Sequence, residues 1–454
     1  MNVNQRSPSS LINTTIDKMD IRHAFLRSKV KGPEVVCLDT QKLCEAVFRN
    51  PSKMTICSPE TITWQRFLER QILTLWSSYF APALSSLDHA ENTHQDAFQL
   101  FLQISILLRD TQPLETTIDS IATKLFANSG INSEEIRNAR RHEIRQVIFA
   151  VTGLLTTLYT PAPTISAGNF TIVVPEDLGS MRCQQSCEKA QNALFGFLKG
   201  FGILLPIQGE EEEDSPVEEA SEELHISKLN YASLRNISNI QISWVNDLSS
   251  HLYFNDKKQV LSLFRLPSFC VAHSLDELAT SLFHGVLNSP LAKLSGDGDL
   301  KDSCSQAYLE EVFLTYRLLF GLDKHSRRRF KSEQKRRARS SGPPDRFLNK
   351  LCANARMDMD TSERLEAAFR PGGVYIKHND FPIFGERLMI LQSYSIRQSP
   401  SRFRAFWKDR RKPADFLNLW VVIIFGASAL LLSLLQLIIA IIALAVAFKQ
   451  LEQR

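Results

Sequence analysis

Apolar residues recur at three- and four-residue intervals through the first half of the chain. One such run covers 62–80 and another covers 98–108. This spacing places the apolar side chains on one face of a helix. A further helix is expected to begin at Ser133, ahead of two glutamates, and to stop before Pro161. The pattern therefore predicts a helical domain over 21–207.

The pattern changes after an acidic segment, 208–223, which reads QGEEEEDSPVEEASEE. Like-charge repulsion and the lack of apolar residues favour an extended, solvated segment there, either a linker or a long surface loop. Beyond it, 237–244 alternates partly and 260–264 reads VLSLF, which indicates a small β element. Helical spacing returns at 275–287 and 308–320. The predicted fold class is mainly α with a small β element (α+β).

The chain contains enough apolar material for domains with real cores. It has 454 residues, of which 44% are hydrophobic and 22% charged. We predict a disordered N-terminus (1–20), a helical domain (21–207), an acidic linker (208–223), a mixed α/β region (224–323), a basic loop (324–344), a juxtamembrane helical region (345–414), a transmembrane helix (415–448) and a short tail (449–454).

The predicted membrane anchor is the run LWVVIIFGASALLLSLLQLIIAIIALAVAF, which contains no charged residue. Its length exceeds the roughly 20 residues that suffice to cross a bilayer as a helix. Gln436 is either tolerated by a very hydrophobic helix or pairs with another helix. We assign to the anchor Trp420, Gly426, Ser433, Gln436 and Phe448. Trp420 suits the membrane interface, where its indole N–H can remain hydrated.

The charges that flank this span predict its orientation. Six basic residues precede it: Arg402, Arg404, Lys408, Arg410, Arg411 and Lys412. Because an excess of Lys and Arg marks the cytoplasmic side, we expect the N-terminus and the whole body to be cytoplasmic. The first 20 residues show no apolar signal-peptide core, and the span lies close to the end of the sequence. We therefore expect tail-anchored insertion, into the endoplasmic reticulum or nuclear envelope.

A second basic cluster, 324–339, contains nine Lys and Arg residues. Three interpretations remain open: a solvated loop, a patch attracted to anionic lipid, or a nuclear-import signal. The formal net charge of the chain is only +4, so nucleic acid is not an expected partner. The expected partners are the lipid bilayer, anionic lipid at this cluster, and a protein bound by the body.

No nucleotide-binding, metalloprotease, hydrolase or kinase motif is present in the sequence. The eight cysteines show no metal-ligand spacing, so no cofactor or metal is expected. Two pairs could serve acid–base chemistry, Asp247 with His251 and His273 with Glu277, because each pair is one helical turn apart. Surface or capping roles are commoner for such pairs. We assign no catalytic residue.

Three segments resemble a large group of uncharacterised proteins from filamentous fungi: 242–270, 381–392 and 406–426. The shared residues are Trp244, His251, Leu252, Leu263, Phe264, Pro267 and Phe269, followed by a Trp-x-Asp-Arg-Arg-x-Pro box formed by Trp407, Asp409, Arg410, Arg411 and Pro413. The resemblance implies a fungal origin and a single C-terminal span, without an established activity. Physically, Leu263, Phe264 and Phe269 are expected in the core.

These observations favour a membrane-anchored, non-catalytic scaffold or regulatory protein. The resemblance implies an alternative role in cell-surface, morphology or recognition traits encoded by accessory parts of fungal genomes. The remaining alternative is an enzyme of unfamiliar type that acts at the membrane surface. Asn13, Asn169 and Asn236 lie in glycosylation-type triplets, which the cytoplasmic orientation predicts to be unmodified.

Overall fold

Side-chain caps fix where several helices begin. In the computed structural model, the Asp39 side chain accepts a hydrogen bond from the backbone amide of Gln41. Thr93 and Thr117 begin two other helices through reciprocal capping boxes. These contacts satisfy backbone amides that have no partner inside the helix. Ser133 occupies the cap of the long helix as predicted, although its side chain makes no capping hydrogen bond.

The structure describes residues 38–49, 51–87, 93–111, 116–131, 133–166, 168–174, 184–201, 223–275, 280–291, 304–341, 345–353, 373–398 and 413–452. Residues from Leu38 to the end of the chain belong to one structural unit. The predicted disordered N-terminus, 1–20, and nearly all of the predicted acidic linker lie outside the described residues.

The first half is helical, as predicted. Its helices are α1 (Thr40–Val47), α2 (Lys53–Cys57), α3 (Pro59–Thr74), α4 (Ala81–Ser86), α5 (His94–Asp110), α6 (Ile118–Asn128), α7 (Glu134–Thr156) and α8 (Leu194–Lys199). The sequence did not predict a small antiparallel sheet between α7 and α8, with strands β1 (Thr160–Pro161), β2 (Asn169–Val173) and β3 (Gln184–Ser186).

The second half mixes helices with two small sheets. Its helices are α9 (Ile226–Leu229), α10 (Tyr231–Asn236), α11 (Pro267–Ser274), α12 (Leu282–Leu291), α13 (Cys304–Tyr316), α14 (Lys324–Ser341), α15 (Arg346–Ala353), α16 (Lys377–Asp380), α17 (Gly385–Arg397) and α18 (Pro413–Glu452). The strands are β4 (Glu223–His225), β5 (Gln241–Val245), β6 (Phe254–Asn255), β7 (Val260–Phe264) and β8 (Val374–Ile376).

Strand β7 is the centre of the predicted β element. It pairs in parallel with β5 and antiparallel with β6, while β4 pairs with β8 in a separate sheet. Leu263 and Phe264 on β7 are fully buried, as is Phe269 on the following helix α11. These three residues are therefore core residues, as the sequence predicted. The mainly α architecture with small sheets agrees with the predicted fold class.

One core extends across the acidic segment. Trp64 on α3 lies edge-on to Phe269 and His273 on α11, with ring centroids 5.8 and 5.1 Å apart. The backbone amide of Leu248 donates to the carbonyl of Thr157 at 2.7 Å. The predicted boundary at 208–223 therefore does not separate two independent cores. The charge run marks a change in local composition, whereas domain separation depends on long-range packing.

The prediction of a basic loop over 324–344 is wrong for the residues that the structure describes there. Residues Lys324–Ser341 form helix α14. Its inward stripe is Ser326, Phe330 and Gln334, all buried at four-residue spacing. Only one of the three is apolar, so hydrophobic periodicity did not reveal the helix. Lys and Arg are themselves good helix formers, which suits the outward face.

Helix α18 begins two residues before the predicted span and continues past it. It covers Pro413–Glu452, which is 40 residues, and so includes most of the predicted tail. Proline is favoured in the first turn of a helix because its missing N–H needs no partner there. Lys449 and Gln450 have good helix propensity and extend the helix beyond the apolar run.

Candidate functional site

Asp247 is the first candidate acid–base residue, and it holds a turn. It lies buried just after β5. Its Oδ1 accepts from the Ser250 amide at 2.9 Å and from the Ser249 hydroxyl at 3.1 Å. Thr160 Oγ1 donates to Oδ2 at 3.4 Å. Burial raises the pKa of this carboxyl, and the hydrogen bonds oppose the rise. These contacts fix the turn that leads to His251.

His251 has both ring nitrogens occupied. The backbone amide of Phe264 donates to Nδ1 at 3.2 Å, which places the ring proton on Nε2. Nε2 lies 2.7 Å from the Thr315 hydroxyl on α13 and donates to it. The side chain is fully buried. Burial, with a smaller contribution from the positive charge of Arg387, lowers the pKa of His251 to about 3. The ring is therefore a neutral structural link between β7 and α13.

Arg387, on α17, clamps the same turn from outside the sheet. Its Nη1 donates to the carbonyl of Ser249 at 2.6 Å and to the carbonyl of His251 at 2.5 Å. The turn needs this support because Leu252 has a left-handed backbone, with φ of 61°. Non-glycine residues in that conformation are held there by their surroundings.

Glu311 anchors the start of α17 in a similar way. Its carboxyl oxygens accept hydrogen bonds from the backbone amides of Ile383 and Phe384. Burial raises the pKa of Glu311 to about 8, although those two hydrogen bonds oppose the rise. The Phe384 ring meets the His251 ring edge-on at 5.1 Å and the Tyr308 ring at 5.2 Å. Glu311 and the Asp247 turn thus position α17 against α13.

We call Asp247, His251, Glu311, Thr315 and Arg387 the buried polar cluster. Its hydrogen bonds join the 247–252 turn to β1, β7, α13 and α17. Asp247 and His251 find separate partners and do not form the acid–base pair that their spacing suggested. Sequence analysis missed Glu311 and Arg387. A charged residue among the apolar residues of 308–320 was the available signal for Glu311. The contacts of these groups link elements of the fold, through side chains such as Thr315 and through backbone groups such as the His251 carbonyl.

His273, the second candidate base, lies in an aromatic core. Its Nδ1 interacts with the Phe269 carbonyl at 3.1 Å, and Phe48 lies edge-on to its ring at 5.3 Å. Burial holds the pKa of His273 well below its ordinary value, and neighbouring His284 acts in the same direction. Its proposed partner, Glu277, lies outside the described residues. The described residues contain no cluster of His, Cys, Asp and Glu able to hold a metal ion.

Helix α14 presents a basic face. The exposed basic residues are Lys324, Arg328, Arg329, Lys331, Lys335 and Arg336, and we call them the α14 basic face. The helix is held in register from below, because Ser326 Oγ accepts from the Ala232 amide at 2.9 Å. Glu333 is the one acidic residue within 324–336; its carboxylate accepts from the Tyr231 hydroxyl at 2.6 Å and pairs with Arg336 at 3.4 Å, so it offsets one of these six charges. The face therefore retains a strong positive charge.

The anchor residues lie on α18. One helix in the described chain is long and apolar enough to cross a membrane, Trp420–Val446, with 27 residues and mean hydropathy 2.9. None of that span is buried against the body. Ser433 Oγ donates to the Ala429 carbonyl at 3.0 Å, which satisfies its hydroxyl within the helix. Gly426 has no non-neighbouring atom within 4 Å of an added Cβ. Gln436 is exposed.

The remaining sequence-predicted sites are not described by the structure. The six basic residues that precede the span lie outside the described residues, and Phe448 belongs to α18 without a described side chain. No protein-family model, curated protein or solved structure matches the chain. The function is therefore inferred from the residues of this chain alone.

Proposed function

We propose that the protein is a single-pass, membrane-tethered scaffold or regulator whose body is cytoplasmic, in the endoplasmic reticulum or nuclear envelope. The observation that carries this proposal is the uncovered apolar surface of Trp420–Val446. Large side chains such as Phe425 and Leu430 are 70% and 72% exposed. An apolar surface of this size is stable in hydrocarbon and would aggregate in water.

The geometry of the span suits a bilayer. At 1.5 Å per residue, 27 residues extend about 40 Å, which exceeds the roughly 30 Å hydrocarbon core and is accommodated by tilt. A continuous helix also satisfies its own backbone hydrogen bonds, as the membrane interior requires. The basic flank at 402–412 supports a cytoplasmic body through the positive-inside rule.

Support for a scaffold comes from the sites that were nominated for catalysis. Asp247 is committed to hydrogen bonds that hold the 247–252 turn, and His251 is committed to a hydrogen bond with Thr315 on α13. His273 is enclosed by aromatic rings. Groups in these settings stabilise the fold, so the contribution of the body is best assigned to binding another protein. The fungal resemblance favours a filamentous fungus as the host for testing this.

The tether is tested by membrane extraction. Full-length chain should remain with membranes at alkaline carbonate pH, and a chain truncated before Asp415 should be released. Leu435→Arg with Ile439→Arg should also release the chain, because each central charge opposes insertion by roughly 3 kcal/mol. The matched control, Leu435→Ile with Ile439→Leu, should remain in the pellet. If the arginine variant remained in the membrane pellet, the proposal of a spanning anchor would be wrong.

The scaffold role is tested by proximity labelling in a filamentous fungus. A labelling enzyme is fused to the N-terminus of the full chain, and to an inert soluble domain carrying only 402–454, which keeps the basic flank, as the control. We expect a reproducible set of proteins that is labelled by the full chain and absent from the control. If the two sets coincide, the body recruits nothing and the scaffold proposal is wrong.

A further inference from the structure

The α14 basic face is fixed in place by the fold. The inward stripe of α14 packs on α10 and on the ring of Trp244, which lies 6.3 Å from the Phe330 centroid. Six basic side chains consequently project from one rigid helical face. A single acidic residue, Glu333, lies within 324–336; it accepts from the Tyr231 hydroxyl and pairs with Arg336, one of the six, at 3.4 Å. This face therefore presents concentrated positive charge without conformational adjustment.

The face belongs to a row of helices that leads to the anchor. Helix α14 contacts α10, α10 contacts α9, and α9 contacts α17. The Ser395 hydroxyl on α17 donates to the carbonyl of Lys228 on α9 at 3.1 Å, which fixes the end of this row. Helix α17 ends at Arg397, and α18 begins at Pro413. Even fully extended, the 15 residues between them span only roughly 55 Å, so the end of α17 lies within that distance of the start of α18.

We propose that the α14 basic face docks onto the anionic lipid surface of the membrane that holds α18. This inference rests on the proposed function only for the tether. Anionic cytoplasmic leaflets attract Lys and Arg strongly enough that each residue at the surface strengthens association about fivefold. The attraction acts within a Debye length of about 8 Å at physiological salt, so it requires direct apposition.

The tether favours the lipid surface over other partners of the α14 basic face. A body linked to the bilayer meets that surface at an effective concentration of about millimolar, which a soluble protein or nucleic acid must outcompete. Docking would align the body with the membrane and leave the opposite side, which includes no part of the α14 row, free for a protein partner. Charge complementarity and continuity with the tethered end of the body both favour lipid.

The test measures lysine reactivity in the full chain. The protein is reconstituted into nanodiscs of phosphatidylcholine alone, or of phosphatidylcholine and phosphatidylserine in equal amounts. Acetylation rates are then read by mass spectrometry. Lys331 and Lys335 should react about fivefold more slowly in the anionic discs, and high salt should restore the rate. Lys42 and Lys124, exposed on α1 and α6, should react equally in both discs.

A charge-reversal pair separates docking from anchoring. Arg328→Glu with Arg329→Glu should abolish the slower reaction of Lys331, whereas Arg66→Glu with Arg70→Glu, on the exposed side of α3, should leave it. Equal Lys331 rates in both discs, with the chain incorporated, would overturn docking and leave the face to another partner. Failure of the chain to enter either disc would overturn the tether, and docking with it.

Discussion

The Arg387 guanidinium donates a hydrogen bond to the backbone carbonyl of His251, 2.5 Å away. The same nitrogen serves Ser249, so one side chain satisfies two carbonyls of a buried turn. We expect Arg387→Met to lower the free energy of unfolding by about 3 kcal/mol, because both carbonyls lose their partner. Urea unfolding followed by tryptophan fluorescence measures this in detergent. Arg397→Met, at the exposed end of the same helix, should change it by less than about 0.5 kcal/mol.

Glu311 makes stability depend on pH. Its pKa in the folded chain is raised from 4.5 to about 8, so the folded state retains a proton that the unfolded state has lost. The contribution of Glu311 is therefore full below about pH 4.5 and is lost as pH rises to about 8. Glu311→Gln should remove this decrease in the free energy of unfolding, because glutamine does not ionise.

The difference in unfolding free energy between Glu311→Gln and wild type should thus rise with pH, by at most about 1.4 kcal/mol per pH unit, and level off above about pH 8. Isothermal unfolding at several pH values gives this difference curve and removes contributions shared by both proteins, including that of His251. A flat curve between pH 5 and pH 8 would mean that Glu311 is ionised in the folded chain.

Phe330 tests whether the basic segment is a packed helix. Its ring centroid lies 5.2 Å from that of Phe320 and 6.3 Å from that of Trp244. Phe330→Ala should lower the free energy of unfolding by about 3 to 5 kcal/mol, since it leaves a cavity beneath α14. Ser332→Ala, exposed on the same helix, should have little effect. If both substitutions changed the free energy of unfolding only slightly, the segment would be a loop, as the sequence suggested.

The shared core predicts the outcome of a cut in the acidic segment. A protease site inserted between Gln208 and Gly209 should be cleaved, because the acidic run is expected to be solvated. The two fragments should still migrate together on size exclusion, held by packing such as that of Trp64 on Phe269. Separation of the fragments without denaturant would restore the two-domain interpretation.

Local patterns explain what sequence analysis predicted correctly. The helices near Trp64 and Phe98 follow three- and four-residue apolar spacing, β7 is a short apolar run, and α18 is apolar throughout. Each signal lies within one element, so the mainly α class and the candidate span could be predicted from the sequence. Capping also worked locally, since Ser133 stands where its helix begins.

The remaining features depend on residues far apart in the chain. Glu311 meets the amide of Ile383, 72 positions away, and Arg387 meets the carbonyl of His251, 136 positions away. No local period encodes such contacts. The Asp247 and His251 spacing resembled an acid–base pair because sequence does not display burial. Helix α14 escaped prediction because two of its three inward residues are polar.

Glycosylation mapping distinguishes a membrane anchor with a cytoplasmic body from the opposite topology and from a chain that does not insert. Short tags carrying an acceptor asparagine are placed before Met1 and after Arg454 in one chain, which is expressed with endoplasmic reticulum membranes. Added tags are preferable to native acceptors because Asn169 and Asn236 are partly buried. We expect a glycan on the C-terminal tag alone. A glycan on the N-terminal tag, or on neither tag, would contradict it.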